Sequence, residues 1–209
     1  MPVTSEPALD LTDEVTLTAW FYFSGGLDGE PGIVQKDGPN SFGRYGLWVL
    51  DDQVDFCIYV DGGSQNCMYS DGTLTLDSWN HVAGVYDGSE MRLYLNGELD
   101  SDQPLSGAIS TSDRSLYIGG DPTEPTYLAG RLHEVQVWSV ARSEAQIASG
   151  MDDRPSGSEA GLVGYWPLNE GSGQTVSDAS GNGLDGTLGS SGAADASDPD
   201  WETDDWPHS

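Results

Sequence analysis

Short runs of β-branched and aromatic residues, a dense set of hairpin-turn signals and almost no helical periodicity predict an all-β antiparallel sandwich with one short helix. The turn signals are six Asp-Gly pairs, beginning at Asp28, Asp37, Asp61, Asp71, Asp87 and Asp185, and two Asn-Gly pairs, at Asn96 and Asn182. Both dipeptides tolerate the positive φ angles that tight hairpin turns need. Seven Trp, nine Tyr and four Phe supply the apolar mass of a core, so the chain reads as folded over about residues 10–190 despite its charge. At 209 residues, one sandwich accommodates it as a single domain spanning 1–209.

The expected strands, in order, are Val15–Phe23, Ile33–Gln35, Gly46–Leu50, Val54–Val60, Gln65–Ser70, Asn80–Tyr86, Met91–Leu95, Ser115–Gly119 and Arg131–Trp138. Period-2 alternation in the central hairpin puts Leu47, Val49, Phe56, Ile58 and Met68 on one face. Trp48, Tyr59 and Tyr69, with Cys57 and Cys67, fall on the other. The two cysteines sit symmetrically about Gly62, so a hairpin tip at Asp61-Gly62-Gly63 sets them opposite each other. A cross-strand disulfide fits that placement in a non-hydrogen-bonded pair and contributes roughly 2–3 kcal/mol for so short a loop. The helix begins at Ser143, where Gln146 three residues on completes a capping box, and Gly150 ends it.

Two clusters of motifs carry a family resemblance. One is Trp79-Asn-His81-Val-Ala, then Tyr86-Asp-Gly, then Leu93-Tyr-Leu-Asn-Gly97, with Arg131-Leu-His-Glu-Val-Gln-Val137 before the helix. The other pairs Trp166-Pro-Leu-Asn-Glu-Gly-Ser-Gly173 with Asp178-Ala-Ser-Gly-Asn-Gly-Leu-Asp-Gly186. Together they resemble the laminin-G-like domains of the concanavalin-A-like lectin and glucanase superfamily. That resemblance implies a two-sheet jelly roll with its core at about 10–150; segment 161–190 either opens a following repeat or returns to complete the sandwich, and completion is the expectation, with 191–209 as an acidic tail. It also implies a binding or adhesion module, although the fold hosts glycosidases too. His133 stands where the family commonly has Asp.

Charge and chemistry narrow the function classes. With 35 acidic against 7 basic residues, the formal net charge is −28, which repels phosphate backbones and anionic headgroups. Nucleic acid and direct membrane insertion are excluded as expectations, and no apolar run is long enough to span a bilayer. The disulfide points to a secreted or cell-surface location, with any signal peptide outside this sequence. Glycosidases of this fold need two acids on one strand face, whereas the strand at issue reads His133-Glu134-Val135-Gln136-Val137, with a single acid. No serine elbow is present, and His208 lies in the tail beside Trp206, so no enzyme is expected.

Two ligands are expected instead. Ca²⁺ suits the oxygen-rich loop of Asp178, Asn182 and Asp185, with Glu134 as a distant fourth ligand; a plain Asx-rich turn explains the same residues. A glycan, free or on an extracellular glycoprotein, suits a platform of Trp48, Tyr59 and Tyr69 if their face is open. The competing expectation is that a loop or the 161–190 return covers that face. Its aromatics would then be core, and the chain a structural spacer.

Overall fold

The computed structural model describes residues 1–3, 6–25, 29–36, 44–63, 65–121, 126–189, 193–194, 196 and 198–202. Its strands are β1 Pro2–Val3, β2 Val15–Phe23, β3 Gly32–Lys36, β4 Tyr45–Leu50, β5 Gln53–Tyr59, β6 Gln65–Tyr69, β7 Ser78–Tyr86 and β8 Glu90–Leu95. They continue with β9 Glu98–Pro104, β10 Leu116–Ile118, β11 Gly120–Asp121, β12 Thr126–Tyr127, β13 Gly130–Trp138, β14 Leu162–Trp166, β15 Thr175–Val176 and β16 Gly186–Thr187. One helix, α1, covers Glu144–Gly150. Eight strands form one sheet in the order β15-β16-β1-β10-β3-β4-β5-β6, and six form the other as β14-β13-β2-β7-β8-β9. This is the predicted jelly-roll sandwich, and each expected strand is present within two residues of its ends. The turns at Asp28 and Asp37 and the tail residues Trp206 and His208 lie outside the described residues.

The core is the seam between the two inner faces. Leu17, Phe21 and Val82 from one sheet meet Leu47, Phe56 and Ile58 from the other, all fully buried. Gly84 of β7 leaves room for the facing sheet, since a Cβ there would sit 2.5 Å from the Phe56 ring. The Asn96-Gly97 turn between β8 and β9 holds both residues at positive φ, 50° and 82°, as its sequence requires. Cys57 and Cys67 pair directly across β5 and β6 and are bonded, with their Cα atoms 4.1 Å apart, a spacing characteristic of a non-hydrogen-bonded pair.

The capping box of α1 forms as the sequence indicates: Ser143 N–H donates to Gln146 Oε1 at 2.9 Å, and Gln146 N–H donates to the Ser143 hydroxyl. Its one buried side chain, Ile147, packs on Ala83, Val85 and Tyr94, on the outer side of the six-stranded sheet. The segment after the helix does not lie over the other sheet's outer face. Its strand β14 extends the six-stranded sheet beside β13, while β15 and β16 extend the eight-stranded sheet beyond β1. Trp166 of β14 is fully buried and donates its indole N–H to the Leu184 carbonyl at 2.8 Å. Because these additions run edge to edge, the expected covering of the Trp48 face by 161–190 is overturned.

Candidate functional site

The aromatic face is built by strand register. Trp48, Asp55 and Tyr69 are directly opposite one another on β4, β5 and β6, and the neighbouring row is Gly46, Cys57 and Cys67. Alternation turns all six to the outer side, away from the core. Trp48 folds back over Gly46, where a Cβ would come within 2.6 Å of the indole ring. The glycine therefore permits this ring position. Tyr59, further along β5, lies under the Arg44 guanidinium, 4.6 Å from its ring centre. Tyr69 is 47% exposed, and Trp48 and Tyr59 are half-buried. The structure thus brings the three predicted aromatics onto one sheet face, with Tyr69 exposed and Trp48 and Tyr59 half-buried.

Between the rings lies a carboxylate that the sequence reading passed over. Asp55 is only 4% exposed, its Oδ1 has no hydrogen-bond partner, and its Oδ2 lies 3.3 Å from the Cys57 sulfur. Burial, and secondarily the negative charge of Glu30, push its carboxyl up to about 7. The Asp55 charge in turn raises the Tyr69 hydroxyl. Alternation along Val54-Asp-Phe-Cys-Ile-Tyr59 already put Asp55 on the cysteine face, but its burial depends on neighbours from two other strands. Arg44 was missed for the same reason, since it precedes β4 while its partner Tyr59 lies at the end of the neighbouring β5. Chemically, the face offers ring surfaces for apolar C–H faces, with a cation at one end and a carboxylate at the other.

The proposed calcium ligands are arranged differently. Asp178 Oδ1 accepts from the N–H groups of Tyr165 and Ser180 at 3.0 and 2.8 Å. Its Oδ2 accepts from the Ser180 hydroxyl and the Leu184 N–H at 2.8 and 2.9 Å. Asp185 Oδ1 accepts from the Asp178 N–H, and the Asn182 side-chain amide donates to the carbonyls of Leu162 and Val163. Glu134 is held by the Tyr165 hydroxyl and by Arg154 Nε at 3.2 Å. A cation set against Asp178 would face four donor protons, so this donor set does not fit Ca²⁺. Among the described residues, Asp178, Asp185 and Glu134 do not converge on one coordination sphere. The loop is an Asx-type clasp that ties 178–185 to β14. Ca²⁺ and Mg²⁺ at equal ionic strength are accordingly expected to shift the melting temperature alike; a rise specific to Ca²⁺ would restore the metal reading.

The β13 strand carries no second acid beside Glu134. Glu134 sits at a bulge with φ of 53°, and Gln136 accepts the Trp138 indole N–H at 3.0 Å. His133 packs edge-on against Trp79, 5.7 Å between ring centres. Burial, and then the Arg154 charge, lower its pKa to about 4, which keeps it neutral at physiological pH. His81 is buried against Trp20, 5.3 Å between ring centres.

Comparison with known proteins supplies the wider setting. A laminin-G family model, described as the concanavalin A-like lectin/glucanases superfamily, matches residues 2–148. Pappalysin-1 of Mus musculus is 32% identical over 81 residues, spanning 36% of this chain and 5% of that protein. A candidate carbohydrate-binding protein from Bacteroides ovatus superposes with a TM-score of 0.72 at 22% identity, over 89% of this chain and 55% of that one. The SAP-like pentraxin of Limulus polyphemus superposes with a TM-score of 0.51 at 17% identity, over 71% of this chain and 79% of its own. This chain therefore spans a small part of pappalysin-1 and about half of the Bacteroides protein. The structural likenesses show a shared fold.

Proposed function

This chain belongs to the concanavalin A-like lectin/glucanase superfamily, and from that premise we propose that it is a non-catalytic, secreted or cell-surface module that binds a glycan on the sheet face of Trp48, Tyr59 and Tyr69. The observation that carries this reading is that three aromatics share the outer side of the eight-stranded sheet, Tyr69 exposed and Trp48 and Tyr59 half-buried, with Trp48 seated over Gly46. Pyranose rings present apolar C–H faces that stack on such surfaces, while Arg44 and other rim groups meet their hydroxyls. The glycan can be free or carried by an extracellular glycoprotein. The Cys57–Cys67 disulfide supports an oxidising compartment. The engagement of Glu134 by Arg154 and Tyr165, with Gln136 rather than an acid two positions along the strand, supports binding without hydrolysis.

A glycan array with the intact chain, followed by calorimetry on the best hit, tests the proposal. Trp48→Ala and Tyr69→Ala should each weaken binding about tenfold, near 1.4 kcal/mol, with little change in melting temperature. If no glycan binds the intact chain, the structural-spacer reading replaces this one. If the glycan is cleaved, the glycosidase reading does.

A further inference from the structure

A cleft of about 500 Å³ opens where β10 faces the first half of β13, and it is lined by none of the three platform aromatics. It exists because β14 pairs only with Val135–Trp138, leaving Gly130–His133 without that neighbour. Gly119, Gly120 and Gly130, which have no side chains to fill the space, line it as well. Gly120 is at φ 131°, and a Cβ there would meet the Thr126 carbonyl oxygen at 2.6 Å, so its backbone admits little else. The floor is apolar, made by Ile118, Leu132, Leu168 and Leu188. Trp79, Tyr127 and Trp201 supply aromatic walls, and Tyr127 is 58% exposed. Trp201 is fixed by its indole N–H, which donates to the Gly173 carbonyl at 2.8 Å.

The charged groups around the cleft are unbalanced. Asp200 and Glu202 are exposed on the wall that carries Trp201, whereas the Asp198 carboxylate is turned onto Gly189, with its Oδ1 buried. Two basic groups are among the lining residues: the Met1 α-amino group, which donates to the Ile118 carbonyl and whose pKa burial lowers to about 6, and Arg131, whose guanidinium lies 4.5 Å from the ring centre of Tyr22, which is not part of the cleft. His133 adds no positive charge at neutral pH, because burial and Arg154 hold it in the neutral form. The volume lies within the range of small-molecule sites, roughly 300–1,000 Å³. A leucine floor gives a polyhydroxylated sugar few hydrogen bonds, and the acidic wall repels an anion.

We propose that this cleft is a second ligand site, selective for a small amphipathic organic cation whose apolar body rests on Leu132, Leu168 and Leu188 and whose ammonium meets the carboxylates of Asp200 and Glu202. Trp79 and Trp201 add attraction through their ring faces. The site stands independently of glycan binding on the sheet face.

Three isosteric probes test it by calorimetry or ligand-observed NMR: 4-phenylbutylamine, 4-phenylbutanol and 4-phenylbutyrate. The amine should bind at least tenfold tighter than the alcohol, and the carboxylate should not bind. The combined variant D200N/E202Q should bring the amine down to the affinity of the alcohol and leave the alcohol unchanged. Tyr127→Ala, at the exposed rim, should weaken both amine and alcohol. Because −28 of net charge attracts any cation, the exposed acids Asp51, Asp52 and Asp153 provide the comparison. D51N/D52N/D153N should leave amine binding within twofold of the unmodified chain. Equal affinity for amine and alcohol, an equal loss in the comparison variant, or no binding by any probe would overturn the proposal.

Discussion

Truncation after Gly150 is expected to give a chain that no longer melts cooperatively, and Trp166→Ala in the full chain to cost about 3–5 kcal/mol. The removed part contributes β14 to one sheet and β15 and β16 to the other, so its loss exposes both edges. Trp166 has no exposed surface, lies in the main core cluster, and satisfies its indole N–H on Leu184. Leu162, Val163 and Tyr165 are each less than 10% exposed. Burying side chains of this size contributes roughly 1.5–3 kcal/mol each, so their joint loss rivals the ~5–15 kcal/mol stability of a whole domain. The family match ends at residue 148, which makes a boundary there the natural competing expectation. A soluble 1–150 fragment with a cooperative transition at the full chain's melting temperature would establish that boundary instead.

The second large effect concerns Asp55. Its carboxyl rises from an ordinary value of 3.8 to about 7 in the folded protein, through burial first and Glu30 second. Between about pH 4 and pH 7, the folded chain therefore keeps a proton that the unfolded chain has lost. The contribution of this group to stability is fully present below about pH 4 and is lost as pH rises through about 7. Asp55→Asn removes the dependence by replacing the carboxylate with a neutral group of similar size. The stability of the variant relative to the parent should grow across this window and level off above pH 8, at a gain on the order of 2–4 kcal/mol. Parallel stability curves from pH 4 to pH 8 would show that Asp55 ionises normally.

Most of the candidate site's aromatic residues were legible in the sequence because strand alternation is local. The facing of Trp48, Tyr59 and Tyr69 with the two cysteines follows from a period of two and one Gly-rich turn, and the structure keeps that arrangement. The same pattern leaves undetermined whether a face is covered, because alternation reports sides and not what packs on them. The Asp178 loop shows a related gap. Its composition suits an ion and a turn equally, and the choice rests on donors from Tyr165 and Leu184, which only the folded chain brings to the carboxylate.

By itself, the sequence determined the all-β class, the order of the long strands, the capped helix and the pairing of Cys57 with Cys67. Each of these depends on residues close in the chain, through periodicity, turn preference or a four-residue cap. Only the tertiary structure decided the rest. The two-residue strands β1, β15 and β16 carry too few residues for any period, and the polar edge strand β9 lacks an apolar alternation, so pairing with distant partners defines them. The burial of Asp55 and the acid-walled cleft likewise arise where strands far apart in sequence meet. Their energetics are set by neighbours that local patterns do not encode.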